Sequence, residues 1–146
     1  MRTLLAILLG IAGFALGCST HVGIAATHRE DISAQSRVLA IAARNLDDMA
    51  RSRAVLQTAQ AVGVFHYETE EFARAAARWL SDDDVNGRYE RLIEAWVAVR
   101  RVAPTLQGNA LLSESFHRVE HEWEKLARVC GYAGKKYEQK MEQGGK

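Results

Sequence analysis

The chain has 146 residues, and its 19 lysine and arginine side chains almost balance its 18 aspartate and glutamate side chains. This balance argues against a nucleic-acid-binding protein, because such proteins rely on a basic surface to contact phosphates. The length suits one domain with its own hydrophobic core. A single proline together with abundant alanine indicates an all-α fold.

The N-terminus has the pattern of an export signal. A positive charge at Arg2 precedes residues 4–16, which are apolar and contain two glycines. This order predicts a signal peptide at residues 1–17. A membrane-spanning helix needs about 20 apolar residues, and extending the run past Cys18 would place His21 inside the bilayer. We favour a lipoprotein signal. The two alternatives are an uncleaved membrane anchor and a plain cleaved signal.

Residues 14–18, with the sequence FALGC, resemble a bacterial lipobox. The resemblance implies cleavage before Cys18 and lipidation of that cysteine. Ala15 stands where the pattern most often has leucine, and Ser19 resembles the class that is sorted to the outer membrane. The resemblance implies a protein attached to the membrane by lipid on the periplasmic face of the cell envelope, at the outer membrane if the host has one. Removal of residues 1–17 would leave equal numbers of basic and acidic side chains.

Residues 18–28 are short, small and without an apolar pattern, and we interpret them as a tether. About ten extended residues reach at most ~35 Å, so the domain is expected to stay close to the membrane surface. We assign residues 29–142 to an antiparallel bundle of three or four helices and residues 143–146 to a frayed tail.

The first two helices are predicted at residues 30–61 and 66–80. Apolar residues of the first follow the 3-4 spacing of a bundle seam: Ile32, Leu39, Ala42, Leu46, Met49 and Leu56. Gly63 is expected to break the helix. Glutamates at 68, 70 and 71 are expected near the start of the second helix, where the helix dipole favours negative charge.

Two capping residues predict where the later helices begin. Ser81, followed three residues later by an aspartate, has the form of a capping box, and Asn109 is a suitable N-cap. Pro104 is expected to end the third helix. The fourth helix is expected to continue through Gly131 and Gly134 toward residue 142, with a kink.

Three helices repeat the same short pattern, in which an aromatic residue is followed by a tryptophan seven positions later. The three pairs are Phe72 with Trp79, Tyr89 with Trp96, and Phe116 with Trp123. Each pair lies on one helix face, about two turns apart. We interpret the six residues as two aromatic layers of the bundle core. A ligand cleft lined by tryptophans is the alternative.

A histidine-rich segment from His117 to His121 has the form H-x-x-E-H and resembles a known zinc motif. At 100° per residue, the two histidines lie about 120° and 160° from the centre of the apolar face, and Glu120 lies near its edge. We therefore expect both histidines to face solvent and to bind metal only incidentally. Haem would need an inward histidine, and none faces Met49. We expect no cofactor.

Cys130 falls on the apolar face of the fourth helix and is expected to be a small buried hydrophobe. No motif in the chain indicates a catalytic site. We therefore expect a non-enzymatic binding or scaffold module of the envelope that contacts a partner protein. A metal- or haem-binding bundle is the alternative.

Overall fold

The computed structural model describes residues 23–144, which form helices and no strands. The all-α bundle is confirmed. A single 3-10 turn, Ala26–His28, precedes five α-helices, which are α1 (Arg29–Arg53), α2 (Leu56–Arg78), α3 (Asp82–Gln107), α4 (Ala110–Val129) and α5 (Lys135–Gln143). α2 packs between α1 and α3, α4 packs against α1, and α5 packs back on α3.

The predicted signal peptide and Cys18 lie outside the described residues, as do residues 145 and 146 of the predicted tail. The described end of the tether is attached to the domain. Ile24 is 5% exposed, and its backbone N–H donates to Asn86 Oδ1 at 2.9 Å. Among residues 23–144, no helix is both long and apolar enough to cross a membrane.

The predicted boundary between the first two helices was wrong. α1 ends at Arg53, and the chain reverses through two extended residues, Ala54 and Val55, before α2 begins at Leu56. This turn contains no glycine or proline, so it carries no local sequence signal. Gly63 lies inside α2 on the side that faces α1. A Cβ at this position would lie 3.5 Å from Asp47 Oδ1.

The two predicted N-caps are confirmed. The Ser81 hydroxyl accepts a hydrogen bond from the Asp84 backbone N–H at 3.1 Å, and Asn109 Oδ1 accepts from the first turn of α4. The expected helix end at Pro104 was wrong, because α3 continues to Gln107. Pro104 is exposed, whereas Leu106 is fully buried, and burial of that side chain holds the last turn in place.

The predicted continuation of the fourth helix was also wrong. α4 ends in a Schellman motif, in which the N–H of Gly131 donates to Arg128 O and the N–H of Tyr132 donates to Ala127 O. Gly131 has a φ of 63°, a value that suits glycine. A Cβ on Gly134 would lie 2.2 Å from Ile93 Cδ1. The two glycines therefore end α4 and let α5 fold back onto α3.

The prediction that Trp79 belongs to the aromatic core was wrong. α2 ends one residue before it, so Trp79 adopts a left-handed conformation with φ 44° and no longer follows the helical face. Its side chain is only half-buried at the edge of the core. The indole Nε1 donates to Asp82 Oδ1 at 2.7 Å, and the Arg29 guanidinium lies 5.9 Å from the ring centroid.

Candidate functional site

The other five aromatic residues of the repeat are buried, each with 5% or less of its surface exposed. They form one continuous series of ring contacts rather than two separate layers. The order of contact is Phe72, Tyr89, Trp123, Trp96 and Phe116, with centroid distances of 5.2, 6.2, 5.2 and 6.1 Å. α3 and α4 run in opposite directions, so the aromatic residue of each helix meets the tryptophan of the other.

A cleft lies beside this series of rings. α3 and α4 contact each other less extensively than α1 and α2 do, and α5 lies beside the gap. The result is a cleft of about 380 Å³ between α3, α4 and α5. Buried side chains form its floor, including Tyr89, Ile93, Trp96 and Trp123. This volume is within the range of small-molecule sites, and charged and polar side chains surround the apolar floor.

Polar contacts attach α5 to α3 along the edge of the cleft. Arg100 Nη1 lies 3.2 Å from Glu138 Oε1 and 2.6 Å from Glu142 Oε1. Arg101 donates to the backbone carbonyl of Met141 at 3.0 Å. These contacts hold the carboxylates of α5 toward the mouth of the cleft.

The cleft carries more carboxylates than cations. Its acidic residues are Glu120, Glu124, Glu138 and Glu142, against Arg100 and Lys135. Burial raises the pKa of the Glu138 carboxyl, and repulsion from Glu142 and Glu124 adds to this effect, whereas Arg100 opposes it. The main cause of the raised pKa is therefore burial, which disfavours the charged form of Glu138.

Trp96 brings an unsatisfied donor to the same cleft. The residue is 2% exposed, and its indole Nε1 is buried without an acceptor among the described residues. A buried N–H without a partner costs about 1–3 kcal/mol. Trp96 is therefore the one residue of the aromatic series with an unmet polar group next to the cleft.

The predicted outward orientation of the histidine pair is confirmed, because His117 and His121 are both exposed. His117 Nδ1 lies 2.8 Å from Glu120 Oε2. Within residues 23–144, no group of three or more His, Cys, Asp or Glu side chains is arranged to hold a metal ion. The structure therefore places the three candidate metal ligands at a solvent-exposed helix surface.

A second polar cluster was missed by the sequence analysis. Asp47 on α1 is 1% exposed, and its carboxylate contacts Arg51 on the same helix and His66 on α2. His66 also lies 3.2 Å from Glu70, which pairs with Arg44. Burial alone would raise the pKa of Asp47, but hydrogen bonds with Arg51 and His66 outweigh it and lower that pKa.

The missed cluster had a weak signal in the sequence. Asp47 follows Leu46 on the apolar side of α1, where an acidic residue needs a partner. Its partner was hidden because His66 was expected at the start of a helix, whereas it lies in the middle of α2. The cluster ties α1 to α2, so we regard it as structural.

Cys130 is buried, as expected, and forms no disulfide with any described residue. Burial raises the pKa of its thiol to about 12. A thiol with so high a pKa is a poor nucleophile at neutral pH, because the reactive form is the thiolate.

Comparison with protein-family models, with curated proteins and with solved structures finds no match to this chain.

Proposed function

We propose that the protein is a lipid-anchored, non-enzymatic binding module of the bacterial envelope, and that the cleft between α3, α4 and α5 is its binding site. The observation that supports this function best is the cleft itself. The helices do not close completely around the aromatic core, because a cleft of about 380 Å³ lies beside it between α3, α4 and α5.

The anchor is the second part of the proposal. It rests on the lipobox-like residues 14–18 and on the short tether that follows. A single acyl chain binds membranes only marginally, whereas two or more give stable attachment. A di- or triacylated Cys18 would therefore keep the cleft near the membrane on the periplasmic face. We also propose that the module contacts a protein partner in the envelope.

The anchor is tested by expressing the full chain in a Gram-negative bacterium and measuring the intact mass of the mature protein. We expect an N-terminus at Cys18 that carries lipid mass, and a protein that partitions into detergent. Cys18→Ser should leave an uncleaved precursor or release the protein, whereas the matched control Cys130→Ser should remain lipidated. A wild-type N-terminus at another residue, without lipid, would contradict the proposed anchor.

A further inference from the structure

The charge of the cleft indicates the class of ligand more closely than its shape does. Of the two cations that line it, Arg100 is bound to Glu138 and Glu142, and Lys135 lies 5.2 Å from the centroid of the Tyr132 ring. Both cations therefore already have partners. The carboxylates still outnumber them, so the cleft favours positive charge in whatever occupies it.

We propose that this cleft binds a small organic cation, an ammonium compound whose apolar body lies on the aromatic floor and whose charge lies among the carboxylates of the rim. This inference rests on the proposed binding function and adds the class of ligand.

The aromatic floor and the glutamates at the rim together favour a cation over an anion or a neutral ligand. Tyr89, Trp96 and Trp123 form the floor and are 5% exposed or less, and the π electrons of a ring attract an ammonium group that lies within about 6 Å of its centroid. An anion would meet repulsion from the carboxylates. A neutral ligand would leave the excess of carboxylates over cations in the cleft unchanged. A cation alone both gains from the rings and compensates the carboxylates.

The unsatisfied indole N–H of Trp96 narrows the choice of probe. This N–H is buried in a residue that lines the cleft, so a ligand oxygen could accept from it only if neighbouring side chains moved, and an oxygen atom beside the ammonium group would supply that acceptor. Choline, a quaternary ammonium alcohol, has this chemistry. Its carbon analogue 3,3-dimethylbutan-1-ol has nearly the same shape and the same hydroxyl group but no charge.

The test is a titration of the full mature chain in non-ionic detergent, followed by tryptophan fluorescence and by calorimetry. Trp79→Phe is used as the background, because Trp79 does not line the cleft and would add unrelated emission. We expect saturable binding of choline, with an affinity at least tenfold higher than that of the neutral alcohol. Equal affinities for the two probes would overturn the assignment.

Charge-neutral variants locate the site. Glu124→Gln and Glu138→Gln should each weaken choline binding at least threefold, whereas Glu114→Gln, on α4 but outside the cleft, should not change it. Unchanged binding in both cleft variants would also overturn the assignment. Benzoate, an anion, serves as a third probe. If the protein bound the neutral alcohol or benzoate but not choline, the proposed cationic ligand would be wrong, whereas the proposed binding function would stand. Binding of none of the three would contradict both proposals.

Discussion

Asp47 Oδ2 lies 2.9 Å from His66 Nδ1 across the interface between α1 and α2, at a depth where only 1% of Asp47 is exposed. This pair joins two helices that meet at a turn without glycine or proline. Because a hydrogen bond to a buried charged group contributes about 1.5–3 kcal/mol, the pair is a substantial part of what holds α1 against α2.

We therefore predict that Asp47→Ala lowers the free energy of unfolding by about 1.5–3 kcal/mol at neutral pH. The pKa of Asp47 is lower in the folded state than its ordinary value, so its contribution is present above the unfolded pKa of about 4. The contribution is lost as the pH falls through the folded pKa. The difference from wild type in urea unfolding should therefore shrink below about pH 4.

The neighbouring Asp48 provides the control, because it is exposed. Asp48→Asn should change stability by no more than about 0.5 kcal/mol. A difference between Asp47→Ala and wild type that stays constant down to pH 2 would show that the ionised carboxylate is not the stabilising species.

The tryptophans of the repeat should differ in their contribution to stability. Trp123 is 5% exposed and contacts two other rings of the series, so Trp123→Ala should cost about 3–5 kcal/mol. Trp79→Ala removes a half-buried side chain and should cost about 1 kcal/mol. Thermal or urea unfolding of the two variants measures the difference. Similar losses for both would mean that Trp79 belongs to the core after all.

The exposed histidine pair decides whether metal binding contributes to folding. Replacing both His117 and His121 by Ala should change stability by no more than about 0.5 kcal/mol, the usual scale for surface substitutions. A metal at a hundredfold excess over its Kd would add about 2.7 kcal/mol to the folded state. Melting curves of wild type and the double variant, each with chelator and with zinc, make the comparison. A large zinc-dependent rise confined to wild type would favour the metal-binding alternative.

Gly134 should be among the least replaceable glycines of the domain. In Gly134→Ala the new methyl group would lie 2.2 Å from Ile93 Cδ1 and 3.0 Å from Tyr89 Cε1, so two buried side chains would have to shift. Overpacking of this kind costs about 1–3 kcal/mol. Gly87 in α3 has nothing within 4 Å of its position for a Cβ, so Gly87→Ala should instead stabilise by about 0.5–1 kcal/mol. Unfolding curves test the opposite signs. A stabilised Gly134→Ala would mean that α5 is not packed on α3.

Features set by neighbouring residues were predictable from the sequence. Ser81 and Asn109 cap helices through their own side chains, so the starts of α3 and α4 follow from local chemistry. The outward position of His117 follows from helical geometry alone. The all-α fold follows from composition and apolar spacing.

Features set by packing between distant residues were not predictable. The turn at Ala54 has no local signal, and its misplacement shifted the expected position of His66, which hid the Asp47 pair. The cleft depends on the direction in which α5 leaves α4. That direction depends on contact between Gly134 and Ile93, far apart in sequence, and a periodic pattern contains no information about it.

The burial of Cys130 also has a practical consequence. Its thiol is 4% exposed and has a pKa of about 12, so maleimide reagents should spare it while the domain is folded. A cysteine introduced at exposed Gln139, beside the cleft, would then be the preferred site of labelling in a chain whose Cys18 is acylated. A fluorophore or spin label placed there would follow the distance between α5 and the rest of the domain without first removing a native residue.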